Sequence, residues 1–159
     1  MISKRLGQEL KMKRDFKQPA QEVIASVLRT SDMYQYRLRQ FFREYNLTHP
    51  QYNILRILRG ADSPLPILEI ASRLVSHVPG ITGLIDKLED RALVARQRCD
   101  GDRRIWYVRL TTAGNELLDT LEGPNDEIER HLAGHLSADE CRQLVTLLDK
   151  ARDIPARDD

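Results

Sequence analysis

Apolar residues recur along this chain first at helical spacing, then in strict alternation, then at helical spacing again. Val23, Val27, Tyr34, Leu38, Phe41 and Tyr45 keep returning to one face of a 3.6-residue period, which predicts a long helix over about 19–45. Gln18-Pro19-Ala20-Gln21-Glu22 opens it, with Pro early in the first turn, where its missing N–H costs nothing, and Glu22 suited to the helix dipole. Upstream, Ile2, Leu6 and Leu10 repeat every fourth residue and predict a short amphipathic helix. Thr48-His49-Pro50-Gln51 has the form of a capping box, followed by Ile54, Leu55 and Leu58 on one side and Gly60 as a stop. After a break at Ser63-Pro64-Leu65-Pro66, Ile67 to Val75 predicts a third, short helix. Ser76-His77-Val78-Pro79-Gly80 interrupts, and Ile81, Leu84, Ile85 and Leu88 form the stripe of a fourth. Two short helices joined by a tight break are the skeleton of a helix-turn-helix.

The period then changes. Leu93-Val94-Ala95-Arg96 leads into a strand, Asp100-Gly101 is a strong hairpin signal, and Ile105 to Leu110 alternates two faces. Beyond it, Thr111-Thr112-Ala113-Gly114 caps a helix whose Leu117, Leu121, Ile128 and Leu132 continue through an expected kink at Gly123-Pro124. Ser137-Ala138-Asp139-Glu140 is a second capping box, opening a last helix with Leu144, Leu147, Leu148 and Ala151 expected inside. The fold class that follows is mainly α with a small β-hairpin wing. It comprises a winged helix-turn-helix over 47–111, flanked by helices at 1–46 and 112–153 that are expected to dimerise, with a frayed tail at 154–159. A lobe this thin leaves the long first helix and the last two without cover, and a second copy would bury them. Packing within a monomer is the alternative.

Length and composition add bounds. The 159 residues are about one domain's worth, 41% apolar and 31% charged. No apolar run approaches the roughly 20 residues that span a bilayer, and MISKRLGQELKMKRD lacks the apolar stretch of a secretory signal, so a cytoplasmic protein with no membrane partner is expected. Cys99 and Cys141 are the only cysteines and have the spacing of neither a zinc site nor a disulfide framework. His131 and His135 stand one turn apart with no third ligand in view. No Ser/His/Asp or Cys/His set and no Gly-rich phosphate loop is present, so neither an enzyme nor a metal or other cofactor is expected.

Net charge is +1, but its distribution is uneven. Lys and Arg against Asp and Glu number 12 to 5 over 1–60, 2 to 5 over 61–90, 6 to 2 over 91–110 and 5 to 12 over 111–159. A C-terminal part this acidic repels a polyanion, which restricts any nucleic-acid surface to the hairpin and its neighbours. The second helix of a helix-turn-helix enters the major groove by its N-terminal end, which selects His77, Pro79, Gly80, Thr82, Gly83 and, a turn later, Lys87. Thr82 can donate to a base or phosphate, Lys87 can pair with a phosphate, and the glycines permit close approach of the backbone. A hairpin after such a helix lies beside the minor groove, whose negative floor attracts Arg. On this reading Arg104 enters that groove, Arg103 and Arg98 meet phosphates, and Asp102 orients the pair, with Asp86 as a second anchor for Arg104. Ordinary surface polar residues around a solvated turn, worth at most about 1 kcal/mol as a local ion pair, are the alternative. The basic residues Lys4, Arg5, Lys11, Lys13, Arg14 and Lys17 read as a solvated helix face, with DNA flanking the core site as their other use.

In order and spacing, Leu68-Glu69-Ile70-Ala71, the run Ile81-Thr82-Gly83-Leu84-Ile85-Asp86-Lys87-Leu88-Glu89, Leu93-Val94-Ala95-Arg96, Asp102-Arg103-Arg104 and Leu110-Thr111-Thr112-Ala113-Gly114 resemble the multiple antibiotic resistance regulator (MarR) family of bacterial transcription factors. The resemblance spans Leu47 to Leu118. It implies a homodimer with interdigitated terminal helices, double-stranded DNA with a pseudo-palindromic operator as partner, and a small-molecule or oxidant pocket between the dimer helices and the DNA-binding lobe. The function implied is that of a regulator, as a rule a repressor, relieved by an effector. Two departures stand out: Gly83 occupies the position after Thr82 where this family often has Arg, and no Cys lies within 18–45, where oxidant-sensing members carry one. Cys99 on the wing reads as a bystander thiol. Tyr34, Tyr36, His49, Tyr52 and Arg56 fall on the two helices expected to flank a pocket. An Arg or His with Tyr hydroxyls suits a small aromatic or phenolic effector, although Tyr34 and Tyr52 equally fit core roles. A winged helix used only as a protein-interaction module is the alternative from a different class, and it has no need of a basic hairpin tip.

Overall fold

The computed structural model describes residues 4–14, 16–76, 78–98 and 105–154. Ten elements follow one another: α1 (Lys4–Glu9), α2 (Pro19–Arg43), α3 (His49–Arg59), β1 (Leu65–Pro66), α4 (Ile67–Ser72), α5 (Ile81–Asp90), β2 (Val94–Arg98), β3 (Trp106–Leu110), α6 (Thr112–Ala133) and α7 (Ala138–Arg152). They fall into two compact units, Met1–Tyr52 and Asn53–Asp159, with α3 beginning in one and ending in the other.

In the first unit, α2 starts at Pro19 after an extended Gln18, as its sequence dictates, and stops where Asn46 turns to a φ of +53° and Leu47 donates back to the carbonyl of Phe42 at 3.0 Å. The side chain buried on α2 is Phe42, one position away from the expected stripe. Its ring takes Tyr52 at 4.5 Å and the stacked imidazole of His49 at 5.5 Å between centroids. Val23 and Val27, expected on an inner face, are exposed, as are Ile24, Leu28 and Met33. The expected cap of α3 is present: Thr48 donates its amide to Gln51 Oε1 at 2.9 Å, and the Gln51 amide donates to Thr48 Oγ1 at 3.4 Å.

The second unit is built on a three-stranded antiparallel sheet in the order β1-β3-β2. Its core draws Ile54, Leu55 and Leu58 from α3, Ile70 from α4, Ile85 and Leu88 from α5, Val94 and Val108 from the sheet, and Leu118 and Leu121 from α6. Sequence pattern did not reveal β1. The stretch read as a break pairs Leu65 with Val108 and Pro66 with Tyr107, and two prolines are tolerated because the strand is short and lies at the sheet edge. The first helix of the helix-turn-helix is shorter than expected, ending at Ser72 rather than Val75; Ser72 Oγ donates back to the Glu69 carbonyl at 2.8 Å. α6 is one helix through Gly123-Pro124, where Pro124 cannot donate to the carbonyl one turn back.

The last helix departs most from expectation. Its capping box is complete, with Ser137 and Glu140 bonded to each other's backbone amides, and the Ser137 amide first and its hydroxyl second, both donating to Glu140 Oε2 at 2.8 Å, hold the Glu140 carboxyl below its usual range. Yet no residue of α7 is buried: Leu144 and Leu147, placed inside by their spacing, are 44% and 64% exposed, Ala151 is exposed and Leu148 only half-buried. Periodicity identifies an apolar stripe; it does not say what covers it.

Candidate nucleic-acid interface

The second helix of the helix-turn-helix, α5, begins at Gly80, whose φ of +76° is a left-handed conformation that favours glycine. Ile85 and Leu88 face the core, and this fixes the outward face as Thr82, Gly83, Asp86 and Lys87, all exposed, with Pro79 and Gly80 exposed just ahead of them. A Cβ at Gly83 would meet nothing within 4 Å, so the helix presents bare backbone to solvent there. Lys87 has no ion-pair partner among the described residues. His77 lies outside them.

The hairpin is joined to α5 by a tight turn. Leu93 donates to the Leu88 carbonyl at 3.0 Å, and Ala92 adopts a φ of +55°. β2 and β3 pair in register Val94 with Leu110, Arg96 with Val108 and Arg98 with Trp106. Alternation puts all six on the inner face, the one that carries buried Val94 and Val108. Arg96 is the middle rung, with a side chain only 17% exposed. Its guanidinium reaches Asp86 at 2.5 Å, Glu89 at 3.4 Å and the Thr82 carbonyl at 3.2 Å, while its backbone amide donates to Glu89 at 3.0 Å. Nε is buried without a partner, so four contacts are made at the cost of one unsatisfied donor. Two consequences follow: the hairpin is fixed to α5, and one of the two carboxylate charges on that helix face is offset.

At the next rung outward, the Arg98 guanidinium carbon lies 4.9 Å from the centre of the Trp106 ring. On the far side of β2, the Thr111 hydroxyl donates to the carbonyls of Ala92 (2.7 Å) and Leu93 (3.0 Å), and also accepts from Gly114 N at 3.1 Å, so one side chain both caps α6 and ties it to the base of the hairpin. Gly114 packs against that base so closely that a Cβ would lie 2.3 Å from the Leu93 carbonyl oxygen.

Of the residues selected from sequence, the structure brings Pro79, Gly80, Thr82, Gly83, Asp86 and Lys87 onto one helix start and places Arg98 on the inner face of the hairpin, one rung beyond Arg96. Asp102, Arg103, Arg104 and Cys99 lie outside the described residues. Asp86, expected to anchor Arg104, has its carboxylate engaged by Arg96. Sequence reading overlooked Arg96, Glu89 and Trp106 as site residues. The signal for Arg96 was its position two residues from Val94, since an arginine on the buried face of a strand requires an acid, and Asp86 and Glu89 stand one turn apart on the preceding helix. Of the residues considered for an effector, His49 and Tyr52 meet at Phe42, where burial pushes the His49 imidazole below its ordinary pKa; Tyr36 is exposed and Tyr34 half-buried. Among the described residues no group of His, Cys, Asp and Glu is arranged to hold a metal, and no helix is long and apolar enough to cross a membrane.

Comparison with known proteins gives concordant results. A family model described as MarR family matches residues 47–106. The HTH-type transcriptional regulator MgrA of Staphylococcus aureus is 30% identical over 115 residues, which is 72% of this chain and 76% of MgrA. Among solved structures, a MarR transcription factor from Planctomyces limnophilus is 38% identical with a TM-score of 0.68, covering 85% of this chain and 98% of that one. The S. aureus MepR–DNA complex is 26% identical with a TM-score of 0.71, over 80% of this chain and 94% of that one. A helix-turn-helix with an outward-facing second helix, a hairpin fixed to it and these relatives together make this chain a member of the MarR family of winged-helix transcriptional regulators.

Proposed function

We propose that the protein is a homodimeric, sequence-specific repressor that binds a pseudo-palindromic operator and is released from it by a small aromatic or phenolic effector. In this reading Thr82, Gly83 and Lys87, with Pro79, Gly80 and His77 at the helix start, meet the major groove. Arg104 reaches the minor groove, oriented by Asp102, while Arg98 and Arg103 contact phosphates. The observation that carries it is the Arg96 clamp. It offsets one of the two negative charges of Asp86 and Glu89 on the face that would approach a polyanion, and it gives hairpin and helix a fixed mutual position. The bound DNA of the MepR complex supports the same partner.

Support for the dimer comes from exposed apolar side chains that a soluble chain has reason to cover: Val23, Ile24, Val27 and Leu28 on α2, and Leu144, Val145 and Leu147 on α7. For the effector, the candidate side chains are Tyr34, Tyr36, His49, Tyr52 and Arg56, whose hydroxyls, imidazole and guanidinium suit a phenolic acid. The test is a footprint of the purified protein on its own promoter region, titrated with salt and then with a hydroxybenzoate. A two-fold protected site with half-sites about one helical turn apart is expected, with log K falling steeply against log salt concentration. Absence of both two-fold protection and salt dependence removes the reading in favour of a protein-binding module.

A further inference from the structure

We propose that Trp106 is a positioning residue for DNA binding: its indole holds Arg98 on the inner face of the wing as an oriented cation that remains charged and available to a phosphate. This deepens the proposed function and rests on it.

The inner face of the hairpin changes character rung by rung. Val94 and Leu110 form its base, Arg96 and Val108 its middle, and Arg98 and Trp106 the outermost described pair. Val108 is fully buried and Arg96 is bound to α5, but Trp106 remains 37% exposed and Arg98 is exposed. A smaller β-branched residue would satisfy a strand at that position, so a large aromatic left partly in water asks for another use. Its direct neighbour is the guanidinium across the ladder, 4.9 Å from the ring centre.

The two arginines of β2 are held in chemically different ways. Arg96 is oriented by carboxylates, which also neutralise it. Arg98 has no carboxylate partner among the described residues and is oriented by a ring. A ring restricts the guanidinium through cation–π attraction and stacking but subtracts no charge, so the N–H donors at its edge stay free for an anion. A cation already confined loses less side-chain entropy when it meets a phosphate than one on a free tether. Because Arg96 reaches the Thr82 carbonyl in the first turn of α5, the next rung on the same face continues along the side of the wing adjoining the helix start. The ligand this geometry fits is the phosphodiester backbone, which carries no base information.

The experiment measures binding across a salt series to the promoter duplex and to a duplex of arbitrary sequence, for the full-length protein and the variants Arg98→Ala, Trp106→Leu, Trp106→Phe and Arg98→Ala/Trp106→Leu. Loss of one phosphate contact per subunit should reduce the steepness of log K against log salt by about 1 per subunit and weaken binding to both duplexes by roughly tenfold. Trp106→Leu should reproduce the Arg98→Ala result, Trp106→Phe should restore most of the slope, and the double variant should bind no more weakly than Arg98→Ala. Circular dichroism confirms that each variant is folded, and Arg98→Ala, at an exposed position, supplies the slope comparison should Trp106→Leu fail to fold. A wild-type slope in Arg98→Ala or in folded Trp106→Leu overturns the proposal, as does a loss confined to the promoter duplex, which would assign Trp106 to base or sugar contact. Failure of the wild-type protein to bind either duplex would instead remove the underlying reading.

Discussion

The base of the wing and the last helix are both amphipathic in sequence and opposite in structure. At the wing, Val94 and Val108 are buried, Arg96 is clamped to α5, and Gly114 has no room for a side chain. α7 is capped at least as well, yet it buries nothing. Local signals determine where a helix or strand begins and which face is apolar; long-range partners determine whether that face is satisfied. The wing finds its partners within one chain. The stripe of α7 is left needing a surface, and a second copy is the proposed one.

Four experiments sharpen or break this contrast. The largest effect is expected at the wing base. Gly114→Ala forces a methyl group into the backbone of Leu93, which should cost about 3 kcal/mol or more and appear as a lowered denaturant midpoint. On α7, Leu147→Glu places a charge on the exposed stripe. If two copies meet there, sedimentation should show dimer dissociation raised about thirtyfold, near 2 kcal/mol; an unchanged assembly would make α7 a solvated helix. Arg96→Ala should cost about 1–2 kcal/mol, less than a fully buried pair because Asp86 and Glu89 are partly exposed. Its coupling to Asp86→Asn in a double-mutant cycle identifies the clamp.

The smallest effect is at the N-cap of α7, where Ser137→Ala should remove about 1 kcal/mol and let the Glu140 pKa rise only part of the way toward its ordinary value, because the backbone amide of residue 137, the larger cause, remains. The sign follows from the depressed folded-state pKa. The capping contribution of Glu140 is fully present above the ordinary carboxylate range and is lost as pH falls through the lower folded value. A carboxyl titration by NMR in the two proteins checks both the shift and its source.

Much of the molecule was legible in its residues. Thr48, Thr111 and Ser137 each announced a helix start by the side chain at the cap, and each caps as expected. Alternation through Ile105 to Leu110 identified the second strand, but not its register, in which Val94 pairs with Leu110 and Arg98 with Trp106. β1 was not legible, because two residues carry no period and the prolines before and within it, Pro64 and Pro66, argue against a strand. The stripe of α2 was misplaced by one position because Phe41, Phe42 and Tyr45 are all aromatic, and only the ring contacts with His49 and Tyr52 distinguish which is the core residue. At the candidate interface, the exposed helix start was visible from spacing alone. The Arg96 clamp was not, because it joins residues 7 and 10 positions apart across a turn, beyond the reach of any periodic rule.

The junction at Leu93 bears on how motion is shared along α6. The Leu93 carbonyl accepts from both the amide and the hydroxyl of Thr111, and the adjoining turn of helix presses on it directly through Gly114. The first turn of α6 and the root of the wing therefore shift as one piece. Bending farther along the helix is cheapest at Gly123-Pro124, where the ladder already lacks a rung. A pull arriving from the C-terminal half of α6 is thus divided between flexure at that proline and rotation of the wing, and the stiffness of one dipeptide sets the share each receives.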